Sequence, residues 1–264
     1  MTRPITIKTL NERRSAGQPF SCLTAYDATM ARLAGNAGIE VLLIGDSLGM
    51  VLQGHTSTLP VTLEDMVYHT RCVARAETAS LIMADLPFMT NITTSQTLEA
   101  AGRLMQAGAH MIKLEGEAWL AETVTALTQR GIPVCVHMGL TPQSVHALGG
   151  YRVQGRDSQQ GDVMLEAART LEQAGAGVIL LECVPRELAG RIRTALSVPV
   201  IGIGAGPDVD GQILVMHDML GATTGKAPRF VKNFMTESGS IEGAFRAYHE
   251  AVKARDFPAP EHCF

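Results

Sequence analysis

The chain has 264 residues, 46% of them hydrophobic and 18% charged, with a net charge of −4. That is enough apolar material for a large buried core, in a length that admits one or two domains, although α/β barrels of this size are usually one. The mildly acidic balance, without a long basic run, favours neither nucleic acid nor an anionic membrane surface, and no apolar run approaches the roughly 18 residues of a membrane helix.

The N-terminal stretch MTRPITIKTLNERRSAG lacks a hydrophobic signal core, so the expectation is a soluble cytoplasmic protein. Residues 1–18 read as a helical extension. The first strand is predicted over 20–26. The turn after it, AYDATMARLAG, contains no GxGxxG, which weakens a dinucleotide-binding open sheet. Tyr26 and Asp27 stand at this strand end, as pocket or structural residues. A second strand, 41–46, runs VLLIGD and ends on Asp46; strict alternation groups Leu42, Ile44 and Asp46 on one face. A long polar and Gly-containing loop, 47–61, comes next. Thr62 with Asp65 three residues on marks a helix start.

The third strand, 81–86, ends LIMAD, with Leu81, Met83 and Asp85 on one face. After a helical stretch ending near Gly108, the fourth strand, 111–115, carries Lys113 and Glu115 on one face. The fifth, 133–137, places Cys135 and His137 together, and a second long loop spans 138–160. The sixth, 178–182, ends on Glu182, two residues after Leu180. The seventh, 199–203, runs into GIGAG (202–206), a glycine run suited to a close phosphate approach or simply to a tight turn. The eighth and weakest is predicted over 213–217, closed by His217 and Asp218, and residues 254–264 form a C-terminal tail. Gly108, Gly131 and Gly175 stand where helices end.

Eight mostly apolar strands separated by helical patterns predict a single-domain (β/α)8 TIM barrel over 1–264, with a doubly wound sheet as the runner-up. The two long loops both come after strands, so they would border the C-terminal face, where barrel enzymes carry their sites. The five cysteines form no CxxC pair and read as reduced thiols used as small core residues.

Carboxylates at the ends of four apolar strands are costly unless they bind or react with something. Asp46, Asp85 and Glu115 offer oxygen ligands without accompanying thiols or a histidine cluster, which suits Mg²⁺; Mn²⁺ or Co²⁺ can substitute. A single such acid is as readily a salt bridge or helix cap. Three together repel one another unless a cation sits among them. Lys113 can pair with Glu115, bind a substrate carboxylate or form a Schiff base, the last disfavoured beside a metal. Glu182 is a candidate general base, with a cross-strand ion pair as the alternative. His137, as a lone histidine, is a possible site residue and otherwise structural.

These residues lie in phrases that closely resemble the ketopantoate hydroxymethyltransferase family: TAYD (24–27), GDSLGMVLQGHTSTLPVT (45–62), ADLPFM (84–89), KLEG (113–116), HMGLTPQS (137–144), GGYRVQGR (149–156), LECVP (181–185), IGIGAG (201–206) and DGQILVMHDMLG (210–221). The resemblance covers nearly the whole chain. It implies a Mg²⁺-dependent barrel of the phosphoenolpyruvate mutase-like superfamily. The implied reaction transfers a hydroxymethyl group from 5,10-methylenetetrahydrofolate to 3-methyl-2-oxobutanoate, giving 2-dehydropantoate and tetrahydrofolate in pantothenate biosynthesis. It further implies Asp46 and Asp85 as metal ligands with Glu115 beside them, and Asp46, Ser47, Asp85 and Lys113 as the keto-acid site. Glu182 would be the proton acceptor, in a cytoplasmic homo-oligomer, commonly a decamer. Two competing readings remain: a Mg²⁺-dependent 2-oxo-acid lyase or mutase of the isocitrate lyase type, and a binding barrel without turnover.

Overall fold

A computed structural model describes residues 3–264. Eight parallel strands close into a barrel in sequence order: β1 (Phe20–Thr24), β2 (Val41–Ile44), β3 (Leu81–Asp85), β4 (Met111–Glu115), β5 (Val134–Gly139), β6 (Val178–Glu182), β7 (Val200–Ile203) and β8 (Gly211–Leu214). The helices are α1 (Ile7–Ser15), α2 (Ala28–Asn36), α3 (Leu48–Val51), α4 (Leu63–Ala74), α5 (Thr94–Gln106), α6 (Ala121–Thr128), α7 (Ser158–Gln173), α8 (Arg186–Ala195), α9 (Met216–Met219) and α10 (Ile241–Ala254). Closure rules out the doubly wound alternative.

The alternation of side chains sorts the apolar residues into two layers. Phe20, Val41, Leu43, Leu81, Met83, Met111, Cys135, Val178, Leu180, Ile201 and Ile213 fill the barrel interior. Leu42, Ile44, Ile82, Ala84, Ile112, Val136 and Ile179 face outward into the helix layer. Both faces are therefore buried, which is why the strands read as continuous apolar runs rather than alternating ones. All five cysteines are free thiols.

The N-terminal extension closes the bottom of the barrel. Leu10 of α1 joins the interior cluster at 1% exposure, and Arg14 donates from Nη1 to Asp210 Oδ2 at 2.5 Å and from Nη2 to the carbonyl of Leu196. Nearby, Glu40 gathers Arg13 and Lys253, each at 3.0 Å. On the far flank Tyr248 of α10 donates to the carbonyls of Cys22 and Gln212 at 2.9 and 2.8 Å, locking this helix over β1 and β8. The helix start at Thr62 is a full capping box: its hydroxyl accepts from Asp65 N at 3.2 Å while the Asp65 carboxylate accepts from Thr62 N at 3.0 Å. Gly108, Gly131 and Gly175 take φ of +113°, +77° and +107°, the left-handed backbone expected at those helix ends.

Two expectations need correction. The eighth strand is Gly211–Leu214, not 213–217. It starts early because Gly211 pairs with Phe20 and a Cβ there would lie 2.5 Å from the Phe20 ring; the bare backbone makes room for a residue that fills the barrel floor. Val215 then leaves the sheet, and His217 and Asp218 lie on the short helix α9 instead of ending a strand. The second correction concerns Asp46. Leu42 and Ile44 point outward, so strict alternation would send Asp46 outward too. The strand stops at Ile44, and the turn after it carries the Asp46 side chain back over the barrel mouth.

Candidate active site

The C-terminal mouth of the barrel holds a cavity of about 520 Å³, bordered by Asp46, Ser47, Asp85, Lys113, Glu115, His137 and Glu182. All seven site residues expected from the sequence thus converge on one space. Register explains the grouping. Asp85 on β3 stands opposite Lys113 on β4, and Glu115 opposite His137 on β5. These cross-strand neighbours are the pairs in contact. Lys113 Nζ donates to Asp85 Oδ1 at 2.5 Å and lies 3.9 Å from Glu115 Oε1. His137 sits between two acids, Nδ1 3.3 Å from Glu115 Oε1 and Nε2 3.2 Å from Glu182 Oε2. These two are ion-pair approaches rather than aligned hydrogen bonds, and Glu115 Oε1 has no hydrogen-bond partner among the described residues.

Asp46 enters through Gly45. That position points into the barrel, and a Cβ there would press on Ser47 Oγ at 2.9 Å and stand 3.6 Å from Asp85 Oδ2. Its bareness lets the turn fold down so that Asp46 N donates to Asp85 Oδ2 at 3.2 Å. Ser47 shares a 2.9 Å hydroxyl–hydroxyl hydrogen bond with the buried Tyr26. Asp27 is structural, because its carboxylate caps α2, accepting from Thr29 N and Met30 N at 2.8 and 2.9 Å.

The electrostatics are strained by burial. Burial, then the charges of Asp85 and Glu115, pushes the Asp46 carboxyl well above its ordinary range, against Lys113 and the Gln143 hydrogen bond. Asp85 is also raised, burial outweighing the lysine beside it. For Glu115 the balance is reversed: burial is overcome by His137 and Lys113, and its carboxyl is held low. Burial also works against the Lys113 ammonium, but Asp85, Glu115 and Asp46 outweigh it and raise its pKa. Burial and Lys113 pull the His137 imidazole down, yet Glu115 and Glu182 prevail and bring it up to about 9. Four carboxylates therefore face two cations, and Asp46 bears the excess.

A divalent cation would offset that excess. Among the described residues, no three His, Cys, Asp or Glu side chains are grouped to enclose a metal. The donor set fits an ion such as Mg²⁺, which keeps several waters and takes only one or two protein carboxylates. Asp46 and Asp85, linked through the Asp46 N–H, are the two carboxylates that would serve such an ion. Glu182, with 14% of its side chain exposed against 2–4% for Asp85, Glu115 and Lys113, looks onto the open part of the cavity.

The two long loops supply walls. Met50 and Thr58 come from one, Leu140, Pro142 and Tyr151 from the other, and Tyr151 Oη donates to Met50 Sδ at 3.8 Å across the mouth. Three contributors escaped the sequence reading. Gln143 donates from Nε2 to Asp46 Oδ2 at 2.8 Å. Arg229 lies over the Phe264 ring at 5.5 Å. Phe264 itself returns to the mouth, its carbonyl accepting from Arg186 N at 3.1 Å. The motif TPQS was the only available signal for Gln143, and nothing local announces the return of the tail. The glycine run is a close-packed turn: the bare faces of Gly204 and Gly206 lie against Phe230, Phe264 and Arg186.

A family model described as ketopantoate hydroxymethyltransferase matches residues 4–260. The chain belongs to the ketopantoate hydroxymethyltransferase family. It is 61% identical over 262 residues to the 3-methyl-2-oxobutanoate hydroxymethyltransferase of Chromohalobacter salexigens, covering 99% of this chain and 100% of that protein. With the protein of the same name from Marinobacter nauticus it shares 61% identity over 260 residues, 98% of each. Among solved structures, phosphonopyruvate hydrolase aligns with a TM-score of 0.63 at 16% identity over 84% of each chain. A 2,3-dimethylmalate lyase of the PEP mutase/isocitrate lyase superfamily aligns at 0.57 and 16% identity, covering 79% of this chain and 80% of that one. These last two likenesses are of fold. The family is one of hydroxymethyltransferases, so this barrel is an enzyme of that family, which argues against the lyase and binding-only readings. No helix among the described residues is long and apolar enough to cross a membrane.

Proposed function

We propose that the cavity transfers a hydroxymethyl group from 5,10-methylenetetrahydrofolate to 3-methyl-2-oxobutanoate, giving 2-dehydropantoate and tetrahydrofolate, with water supplying the hydroxyl. One observation carries the reading: Asp46, Asp85, Lys113, Glu115, His137 and Glu182 meet at a single mouth, in a chain some 60% identical to proteins of that name.

Asp46 and Asp85, with Glu115, would hold Mg²⁺, or Mn²⁺ or Co²⁺ in its place. When bound, the ion supplies Lewis acidity toward the substrate's keto oxygen. Lys113 and Ser47 hold the substrate carboxylate, the ammonium offsetting its charge. Glu182, the acid nearest open space, accepts the C3 proton. His137, charged and placed between Glu115 and Glu182, lies 3.2 Å from Glu182 Oε2 and offsets the negative charge gathered there. Overall the C3 carbon bonds to the folate methylene carbon, both C–N bonds of that methylene break, water oxygen becomes its hydroxyl, and the C3 proton and one water proton end on the two freed nitrogens of tetrahydrofolate; the fixed placement of both reactants supplies the orientation. The protein works as a cytoplasmic homo-oligomer, a decamer in this reading, with small-molecule partners and neither nucleic acid nor membrane among them.

The test separates the half-reactions. With Mg²⁺ and no folate, the protein is expected to exchange the C3 hydrogen of 3-methyl-2-oxobutanoate with D₂O, followed by NMR. With methylenetetrahydrofolate it is expected to form 2-dehydropantoate. Absence of both would refute the proposal, and C–C cleavage of a 2-oxo diacid in their place would support the lyase reading.

A further inference from the structure

We infer that Gln143 is the positioning residue that sets the donor carboxylates of this site, through Asp46 above all. Gln143 lies in the short turn Pro142–Ser144 after β5, yet it reaches the exits of three other strands. Its Nε2 donates to Asp46 Oδ2 at 2.8 Å, after β2, and to the Leu86 carbonyl at 3.0 Å, after β3. Its main-chain N–H donates to Glu115 Oε2 at 3.0 Å, at the end of β4. Among the described residues these are the only hydrogen bonds made to the side chains of Asp46 and Glu115.

The chemistry fixes the side chain's identity. A carboxylate oxygen and a main-chain carbonyl only accept, so the amide nitrogen must face them. The amide then spends both its protons on two anchors of different stiffness. Leu86 belongs to the backbone leaving β3, directly after Asp85. Asp46 sits on a turn beyond the end of its strand, without a ladder to hold it. Gln143 therefore references the turn-borne acid to the strand-borne one. It holds Asp46 against the repulsion of Asp85 and Glu115 that would otherwise rotate it toward solvent. Carboxylate ligands held from outside in this way bind metal more tightly, and removing such a partner typically costs about 10–100-fold in metal affinity or activity. The inference rests on the reading that Asp46 and Asp85 hold a divalent cation.

The decisive variant is Gln143→Met, which keeps length, removes both amide donors and leaves the main-chain N–H on Glu115 intact. Gln143→Ala serves if the first variant folds poorly. Mg²⁺ affinity would be measured by calorimetry on the full-length protein for wild type, Gln143→Met and Asp46→Ala, with thermal melting of each. The expected result is a dissociation constant about tenfold or more higher for Gln143→Met, a melting midpoint close to wild type without metal, and C3 exchange largely regained at high Mg²⁺. Wild-type affinity in Gln143→Met while Asp46→Ala binds weakly would overturn the role of Gln143 and leave the cation site standing. A lowered melting midpoint at unchanged affinity would overturn it too, because the glutamine would then serve only the fold. If wild type itself takes up no Mg²⁺, the cation reading falls, and this inference with it.

Discussion

Lys113→Met tests whether the buried charges are balanced as described. Among the described residues Lys113 is the one ammonium in the cluster, 2.5 Å from Asp85 and 3.9 Å from Glu115, with side-chain exposures of 4%, 2% and 3%. Removing one partner of a buried pair costs about 3–5 kcal/mol, because the other charge remains buried and unpaired. The loss should depend on pH with a definite sign. Asp85 is already raised with the lysine present, and without it the carboxyl rises further. A folded-state pKa above the unfolded value of roughly 3.9 means that the folded protein binds the extra proton. Stability is then regained as pH falls through the folded value toward the unfolded one. Urea denaturation at about pH 8 should show the full deficit of the variant, and at about pH 5.5 a smaller one. Millimolar Mg²⁺ should recover part of the loss at the higher pH by occupying the carboxylates. A deficit that is the same at both pH values and indifferent to Mg²⁺ would refute the account, since it would mean that packing rather than charge was lost.

Glu182→Gln should lower C3 exchange by about 10²–10⁴-fold, the usual worth of a positioned base, while calorimetry finds Mg²⁺ affinity near wild type. Leu10→Ala should cost about 2–5 kcal/mol in denaturant unfolding, because this fully buried leucine plugs the barrel floor. Glu172→Gln should cost about 1 kcal/mol near neutral pH: one Glu172 oxygen accepts from Ser197 N, Ser197 Oγ and Val198 N at 2.6, 2.7 and 3.0 Å. Burial opposes that charge, but these bonds hold its carboxyl below the ordinary value. The stabilisation is thus present above about pH 4.3 and lost as pH falls through the folded value, so wild type and variant should converge in acid.

The features legible in the sequence were those that lie along a strand. Burial on both faces makes each barrel strand a dense apolar run, so seven of the eight could be placed closely, and the inward positions 85, 113, 115, 137 and 182 come from counting by twos. The features that stayed hidden depend on how separate segments meet. That Glu115 faces His137 is a matter of register between β4 and β5, invisible until the strands are laid side by side. The eighth strand reads too late in the sequence because its start, Gly211 and Gln212, is small and polar, while the apolar Val215 and Met216 belong to the turn and helix beyond it. Asp46 shows the limit most clearly. Counting by twos places it on the outward face with Leu42 and Ile44, and only the turn at Gly45 brings it inward. A side chain delivered by a turn has no strand to fix its direction, so it needs a tether from elsewhere. Among the described residues the only hydrogen bond to its carboxylate comes from Gln143, 97 positions along the chain. The acids borne directly on strands hold their place by register, whereas the one delivered by a loop is held by another loop, and it is there that substitution should uncouple cation affinity from fold stability.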